Sequence, residues 1–325
     1  MSFPLFHQPG SVVFLDDDPE YLEILAMVLP PGWHVRMFMR PARCVHAFLC
    51  EPRLWEQDRR RHQHMVDLWR QGKPLIPQIL EHWACVPDRY ALSQVCVVDF
   101  SMPGMDGLQF LSELRNWPGG RILLTGQADE RVAVGAFNRG LIDHYIPKQA
   151  HDVAARLIDA VNALSSRALE QHAAIWRSTL RPDQIDLLSL AGTQAALRAL
   201  ATRHWIEYVV IGQPFGVLGM NARGEVSWLQ LETPEGLAAM AELAEMQGMD
   251  REVLADIRKG QRLAPLELWQ ALEIPASGDP LPAFAPEGTS GLLAAFCELP
   301  PGRLPALMTG HHEWLARQSP RKIHD

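Results

Sequence analysis

Five residues in the first half of the chain have types and positions that could do chemistry. Asp16 and Asp17 follow the apolar run SVVFL (11–15), Asp99 ends VCVVD (95–99), Thr125 ends RILLT (121–125), and Lys148 follows LIDHYI (141–146) and one proline. Carboxylates gathered in one place repel each other unless a cation neutralises them. An all-oxygen donor set suits Mg²⁺, which keeps several waters and pairs readily with phosphate. A hydroxyl from Thr125 and an ammonium from Lys148 complete a site able to accept a phosphoryl group, with Asp99 as nucleophile and the cations stabilising charge on the transferring oxygens. Each residue alone is a weak signal, since an aspartate after a strand is most often a helix cap.

Such a site requires elements that bring the five positions to one edge. SVVFL reads as a strand, and Pro19 opens a helical pattern carrying Tyr21, Leu22, Leu25, Val28 and Leu29, which Pro30-Pro31-Gly32 stops. HVRMF (34–38), VCVVD, RILLT and LIDHYI read as further strands. PARCVHAFL (41–49), GLQFLSELR (107–115), ERVAVGAFNRG (130–140) and a longer segment from about residue 150 read as helices. Strands apolar throughout and alternating with helices predict a parallel sheet covered on both faces. In such sheets the ligand site lies outside the carboxyl ends of the strands, which is where Asp16, Asp17, Asp99 and Thr125 fall.

These residues, together with DFSMPGMDG (99–107), resemble the receiver domain of two-component response regulators over roughly residues 10–160. The resemblance implies a flavodoxin-like (βα)5 fold with Asp99 as phosphoacceptor, assisted by Lys148 and Thr125. It implies Mg²⁺ as cofactor, held by Asp16, Asp17, Asp99 and the backbone carbonyl of Ser101, and it makes Tyr145 the switch aromatic. It further implies a histidine kinase or phosphotransfer protein as partner, a cytoplasmic setting, a phosphoacceptor rather than an enzyme, with self-dephosphorylation as a side activity, and a homodimer through the fourth helix, fifth strand and fifth helix.

Residues 51–90 interrupt the alternation and read as a helical insertion of two segments broken at Gly72–Pro74, marked by Trp55, Trp69 and Trp83. It offers a docking or dimer surface, or else a small lid whose tryptophans pack on the receiver. The expected organisation is therefore a receiver over 1–160, a helical linker over 161–175 and an α+β output domain over 176–325. In that last part RPDQIDLLSLAG (181–192) and TQAALRALATRH (193–204) read as helices. IEYVVIG, FGVLGM and EVSWLQL read as strands with a hairpin turn at 221–224, and two helices follow over 234–246 and 250–260. LELWQALEI (266–274) and GLLAAFCE (291–298) are expected as two more strands, and HHEWLARQ (311–318) as a short final helix.

Composition narrows what the output can be. Acids outnumber bases 19 to 14 over 165–325, so a basic DNA-binding face is not expected, although direct DNA contact is the alternative reading of a regulator. No GGDEF, EAL, HD or P-loop motif marks an enzyme, so the expected output acts by binding a protein or a small ligand, with an enzyme of unknown chemistry as a third reading. The five cysteines contain no CxxC pair, so neither a disulfide framework nor a cysteine zinc site is expected. No apolar run reaches the ~20 residues a bilayer span needs, and the N-terminus lacks the pattern of a signal peptide.

Overall fold

A computed structural model describes residues 3–126, 130–273, 279–306, 308–319, 321 and 323–324. In chain order the elements are β1 (Phe6–His7), β2 (Ser11–Leu15), α1 (Pro19–Val28), β3 (His34–Phe38), α2 (Pro41–Phe48), α3 (Glu51–Arg70), α4 (Leu75–Cys85), β4 (Ser93–Asp99), α5 (Gly107–Glu113), β5 (Gly120–Thr125), α6 (Glu130–Asn138), β6 (His144–Pro147) and α7 (Val153–Ala168). There follow α8 (Glu170–Arg177), α9 (Pro182–Ser189), α10 (Ala191–His204), β7 (Glu207–Gly212), β8 (Phe215–Met220), β9 (Val226–Glu232), α11 (Leu237–Met246), α12 (Arg251–Arg258), β10 (Arg262–Leu263), α13 (Leu266–Ala271), β11 (Leu281–Pro282), β12 (Leu293–Glu298), α14 (His311–Arg317) and β13 (Ile323–His324). The chain packs as two units, and neither is a continuous segment. One comprises Pro9–Arg60, Asp88–Gln171 and Trp314–Asp325; the other comprises Met1–Gln8, Arg61–Pro87 and His172–Glu313.

The first unit is built on a six-stranded parallel sheet of order β13-β3-β2-β4-β5-β6. Its five long strands have the doubly wound flavodoxin-like order, and the residues that end β2 and β4 face a topological switch point. β2 and β4 are buried along their whole length, which is why their sequences are continuous apolar runs rather than alternations. Val12, Phe14, Val97, Ile122 and Leu124 meet Leu22 and Leu25 of α1 and Leu157, Val161 and Leu164 of α7 in one core. β13 extends the sheet beyond β3, with Ile323 opposite Met37, and was not expected from sequence. The Arg321 guanidinium donates to the carbonyls of Ala26, Leu29 and Pro30 at the end of α1.

The expected insertion forms the two helices α3 and α4, with Gly72 at φ +94° in the break between them. The start of α3 belongs to the first unit. Buried Glu51 accepts from the backbone N–H and the hydroxyl of Ser93 at 3.1 and 2.6 Å, and pairs with Arg36 at 3.3 Å. Trp55 Nε1 donates to the Ser93 carbonyl at 3.2 Å. Ser93 begins β4 and Asp99 ends it, so this anchor lies ~20 Å from the strand's carboxyl end.

The second unit is built on a five-stranded antiparallel sheet of order β1-β7-β8-β9-β12. Helices lie on both faces. Leu188, Leu197 and Ala201 of α9 and α10 pack on Tyr208, Val210, Val217 and Leu229, while Met240, Ala241, Leu254, Ile257 and Trp269 form a separate core with Ala295. Trp228 is fully buried, and the turn at 221–224 closes the β8–β9 hairpin with Gly224 at φ +90°. One expectation is corrected: LELWQA is the helix α13, not a strand. Leu266 and Leu268 suggest alternation, but Leu266 with Trp269, and Leu268 with Leu272, bury at helical spacing after Pro265. Ile274, the end of that expected strand, lies outside the described residues. The strand expected over 141–146 begins only at His144, after Gly140 turns the chain at φ +67°.

Candidate functional site

The carboxyl edge of the parallel sheet gathers the five residues singled out by sequence. β2 delivers Asp16, whose residue is 1% exposed, and β4 delivers Asp99 at 5%. Lys148 reaches back from the end of β6. Its Nζ stands 2.7 Å from Asp16 Oδ2 and 2.7 Å from Asp99 Oδ1. The backbone holds the remaining oxygens in place: Asp18 N–H donates to Asp16 Oδ1 at 3.1 Å and Ser101 N–H to Asp99 Oδ2 at 3.0 Å. Asp18, the third acid of the run, caps α1 by accepting from the N–H groups of Glu20 and Tyr21. Thr125 is buried at the end of β5, beside β6, and its carbonyl accepts from Lys148 N–H at 2.9 Å. Tyr145 lies half-buried on β6, and Ser101 is exposed just past Asp99.

The loop after β4 is shaped to approach Asp99 closely. Gly107 opens α5 and donates to the Phe100 carbonyl at 3.0 Å. A Cβ at this position would lie 2.4 Å from the Asp99 carbonyl oxygen, so only glycine lets the helix start there. Asp106 and Gln109 form a capping box that fixes the first turn of α5.

Electrostatics leave the site short of positive charge. Burial pushes the Asp16 carboxyl up, and the Lys148 ammonium only partly offsets this. Burial works against the Lys148 ammonium, yet its hydrogen bonds and charge contacts with Asp16 and Asp99 together raise its pKa above 10.5. One cation thus serves two buried acids and gains from both, while Asp16 remains under-neutralised. Carboxylate oxygens of Asp16, Asp17 and Asp99 lie within 4.8 Å of one another, a spacing that suits a divalent ion with hard oxygen ligands. The residues present therefore fit Mg²⁺.

Tyr21 is a site residue that the sequence reading used only as part of the apolar face of α1. The Lys148 ammonium lies 4.7 Å from its ring centroid. Its hydroxyl is buried and finds no hydrogen-bond partner among the described residues. Burial raises its pKa, opposed by Lys148 and supported by the neighbouring Asp16 and Asp99. The position, two residues after Pro19 at the mouth of the site, was the available signal.

The parallel-sheet unit has the flavodoxin-like receiver fold, with acids and a lysine gathered at its carboxyl edge. Residues 62–162 match the family model described as the response regulator receiver domain. The match excludes β2 and its acidic pair, which the long α3–α4 segment separates in sequence from β4. Among solved structures, the chain is similar to the Legionella pneumophila response regulator LqsR at 23% identity, with 98% of each chain covered and a TM-score of 0.72. That likeness extends the shared fold over both units. A receiver domain protein from Clostridium thermocellum is similar at 17% identity over 49% of this chain and 95% of its own, with a TM-score of 0.33. No curated protein matches by sequence. Among the described residues, no helix is long and apolar enough to cross a membrane.

Proposed function

We propose that the chain is a response regulator that accepts a phosphoryl group on Asp99 and transmits that state through its antiparallel-sheet unit. The observation that carries this reading is the meeting of Asp16, Asp99 and Lys148 at 2.7 Å contacts, with acid in excess. Asp16, Asp17, Asp99 and the Ser101 carbonyl are the residues that would hold Mg²⁺. When bound, the ion supplies positive charge to the phosphoryl oxygens and draws the acids into one orientation.

Asp99 supplies the attacking oxygen. Its Oδ forms the new O–P bond as the P–N bond of a phosphohistidine on a histidine kinase or phosphotransfer protein, or of a small phosphoramidate, breaks. The electron pair leaves with the nitrogen, which takes up a proton. Lys148, already between the two acids, keeps one ammonium on the oxygens that gain charge. The Ser101 N–H holds the other Asp99 oxygen and so selects which one attacks. The added phosphate brings about one to two further negative charges, which draw the Thr125 hydroxyl and then Tyr145 inward. The face made by α6, β6 and α7, where Val132, Val134 and Phe137 are exposed, then changes and pairs two copies of the chain. Phosphoramidate labelling followed by intact-mass measurement tests this. The native chain should gain one phosphoryl group and shift its oligomeric state in Mg²⁺, and Asp99→Asn should do neither. Equal labelling of Asp99→Asn, with the group mapped to another residue, would overturn the assignment.

A further inference from the structure

The antiparallel-sheet unit contains a pocket of about 650 Å³ at one end of its sheet, within the size range of small-molecule sites. Its lining comes from the first turn of α9, the β7–β8 turn, the end of β9, the start of α11 and the start of α13. The floor is apolar and buried, with Phe215, Met240, Ala264 and Leu266.

The charge at its mouth is one-sided. Arg181 is held in a two-point contact by Asp183, Nη2 to Oδ2 at 3.0 Å and Nε to Oδ1 at 3.2 Å. That pairing leaves Glu232, Glu235 and Glu267 as acids without an ion-pair partner among the described lining residues. Burial raises the Glu232 carboxyl; the Thr233 N–H and the Arg181 charge partly oppose this, and the like charge of Glu267 adds a smaller push upward. Carboxylate oxygens of these acids form no cluster within 4.8 Å, among the described residues, so they do not converge on a single metal ion. Dispersed acids around an apolar floor suit a larger cation instead.

A second observation comes from Gln230, which is 6% exposed and lines the pocket. Its Oε1 accepts from Trp228 Nε1 at 2.8 Å, which fixes the orientation of the amide because the indole can only donate. Its Nε2 then makes no hydrogen bond among the described residues, which leaves a free donor on a residue that lines the cavity. By contrast, both ends of the neighbouring Gln184 amide are used, by the Arg181 N–H at 2.9 Å and the Gly212 carbonyl at 3.0 Å.

We infer that this pocket binds a small organic cation: an ammonium or guanidinium on an apolar body that also carries a carbonyl or hydroxyl acceptor. The apolar body covers Phe215, Met240 and Leu266, the acceptor takes the Gln230 Nε2–H, and the cation sits among Glu232, Glu235 and Glu267. This rests on reading the second unit as a binding module and is independent of phosphoryl acceptance.

Calorimetric titration of the full chain with phenylalaninamide tests it, because that probe combines an ammonium, a phenyl ring and a carbonyl. Hydrocinnamamide is its neutral control and hydrocinnamate its anionic one. The expected result is saturable one-to-one binding of phenylalaninamide, about tenfold weaker binding of the neutral amide and none of the anion. The variant E235Q/E267Q, whose changes lie on the exposed rim, should weaken the cation about fivefold or more while leaving the fold intact. Absence of saturable binding, equal binding of the neutral or anionic control, or an unchanged affinity in E235Q/E267Q would overturn the inference. Repeating the titration with Asp99→Asn keeps the two readings apart: cation binding should survive a substitution that abolishes labelling.

Discussion

In the parallel-sheet unit two buried carboxylates close on one ammonium at 2.7 Å, whereas in the antiparallel-sheet unit three carboxylates stand apart around an open pocket. The first arrangement stores strong, mutually dependent interactions: each charge is tolerable only because the others are there. The second stores little, because Glu235 and Glu267 are exposed on the rim and already solvated, and only Glu232 is half-buried. Convergent acids suit a point charge such as Mg²⁺ and a compact phosphoryl group. Dispersed acids suit an extended molecule. The contrast predicts that the same kind of substitution will be costly in one unit and nearly silent in the other.

The largest effect is expected at Lys148. Lys148→Met leaves Asp16 and Asp99 facing each other in a buried site, and should cost about 3 kcal/mol in chemical denaturation without Mg²⁺, with part restored by the ion. The pH dependence has a definite sign. The folded-state pKa of Lys148 is raised above 10.5, so its contribution is fully present below 10.5 and is lost as pH rises through the raised value. The stability gap between the native chain and Lys148→Met should therefore stay level up to pH 10.5 and close above it. A gap that widens in alkali would break the comparison.

Gly107→Ala comes next. Its new Cβ would meet the backbone oxygen of Asp99 at 2.4 Å, so either α5 or Asp99 must shift. A loss of about 2 kcal/mol is expected, with slower phosphoramidate labelling. Native stability and labelling rate in this variant would show that α5 does not position the nucleophile.

Tyr21→Phe separates stability from chemistry at the same site. Removing a buried hydroxyl that lacks a partner should leave stability unchanged or raise it by up to ~1 kcal/mol. If that hydroxyl serves an incoming phosphoryl oxygen, the labelling rate should fall several-fold. A fall in stability without a change in rate would assign Tyr21 to packing alone.

The smallest effect is expected at Glu232. Its carboxyl is raised above 4.5 by burial, so its contribution to stability declines as pH rises through the raised value. Glu232→Gln removes that decline, keeps an acceptor for the Thr233 N–H, and should change stability at neutral pH by less than about 1 kcal/mol. A loss as large as that of Lys148→Met would show that this acid also belongs to a tight charge cluster.

The same contrast explains what could be read from the residues alone. Asp16, Asp99, Thr125 and Lys148 each end or follow an apolar strand run, so a periodicity argument places them at one sheet edge before any coordinate is known. The pocket offers no such signature. Gln184, Gln230 and Glu232 come from a helix and a strand whose sequences look like ordinary amphipathic structure, and their common cavity exists only through tertiary packing. The misreading of LELWQAL has a similar origin, since two leucines at spacing two fit a strand until Trp269 and Leu272 are buried on the same side. The two-residue strands β1 and β13 were illegible for another reason: segments this short have no period, and long-range pairing alone defines them.

β13 carries a consequence for how the protein can be cut, tagged or inherited. The polypeptide passes between its two units five times, and its last described residues shield the outer rim of the receiver sheet. A stop codon at position 321 or shortly before it would remove Arg321 from the end of α1 and bare the backbone groups of β3, inviting another molecule to zip onto them. Neither unit can be lifted out as a contiguous gene fragment, so recombination would be expected to transmit the two together or not at all.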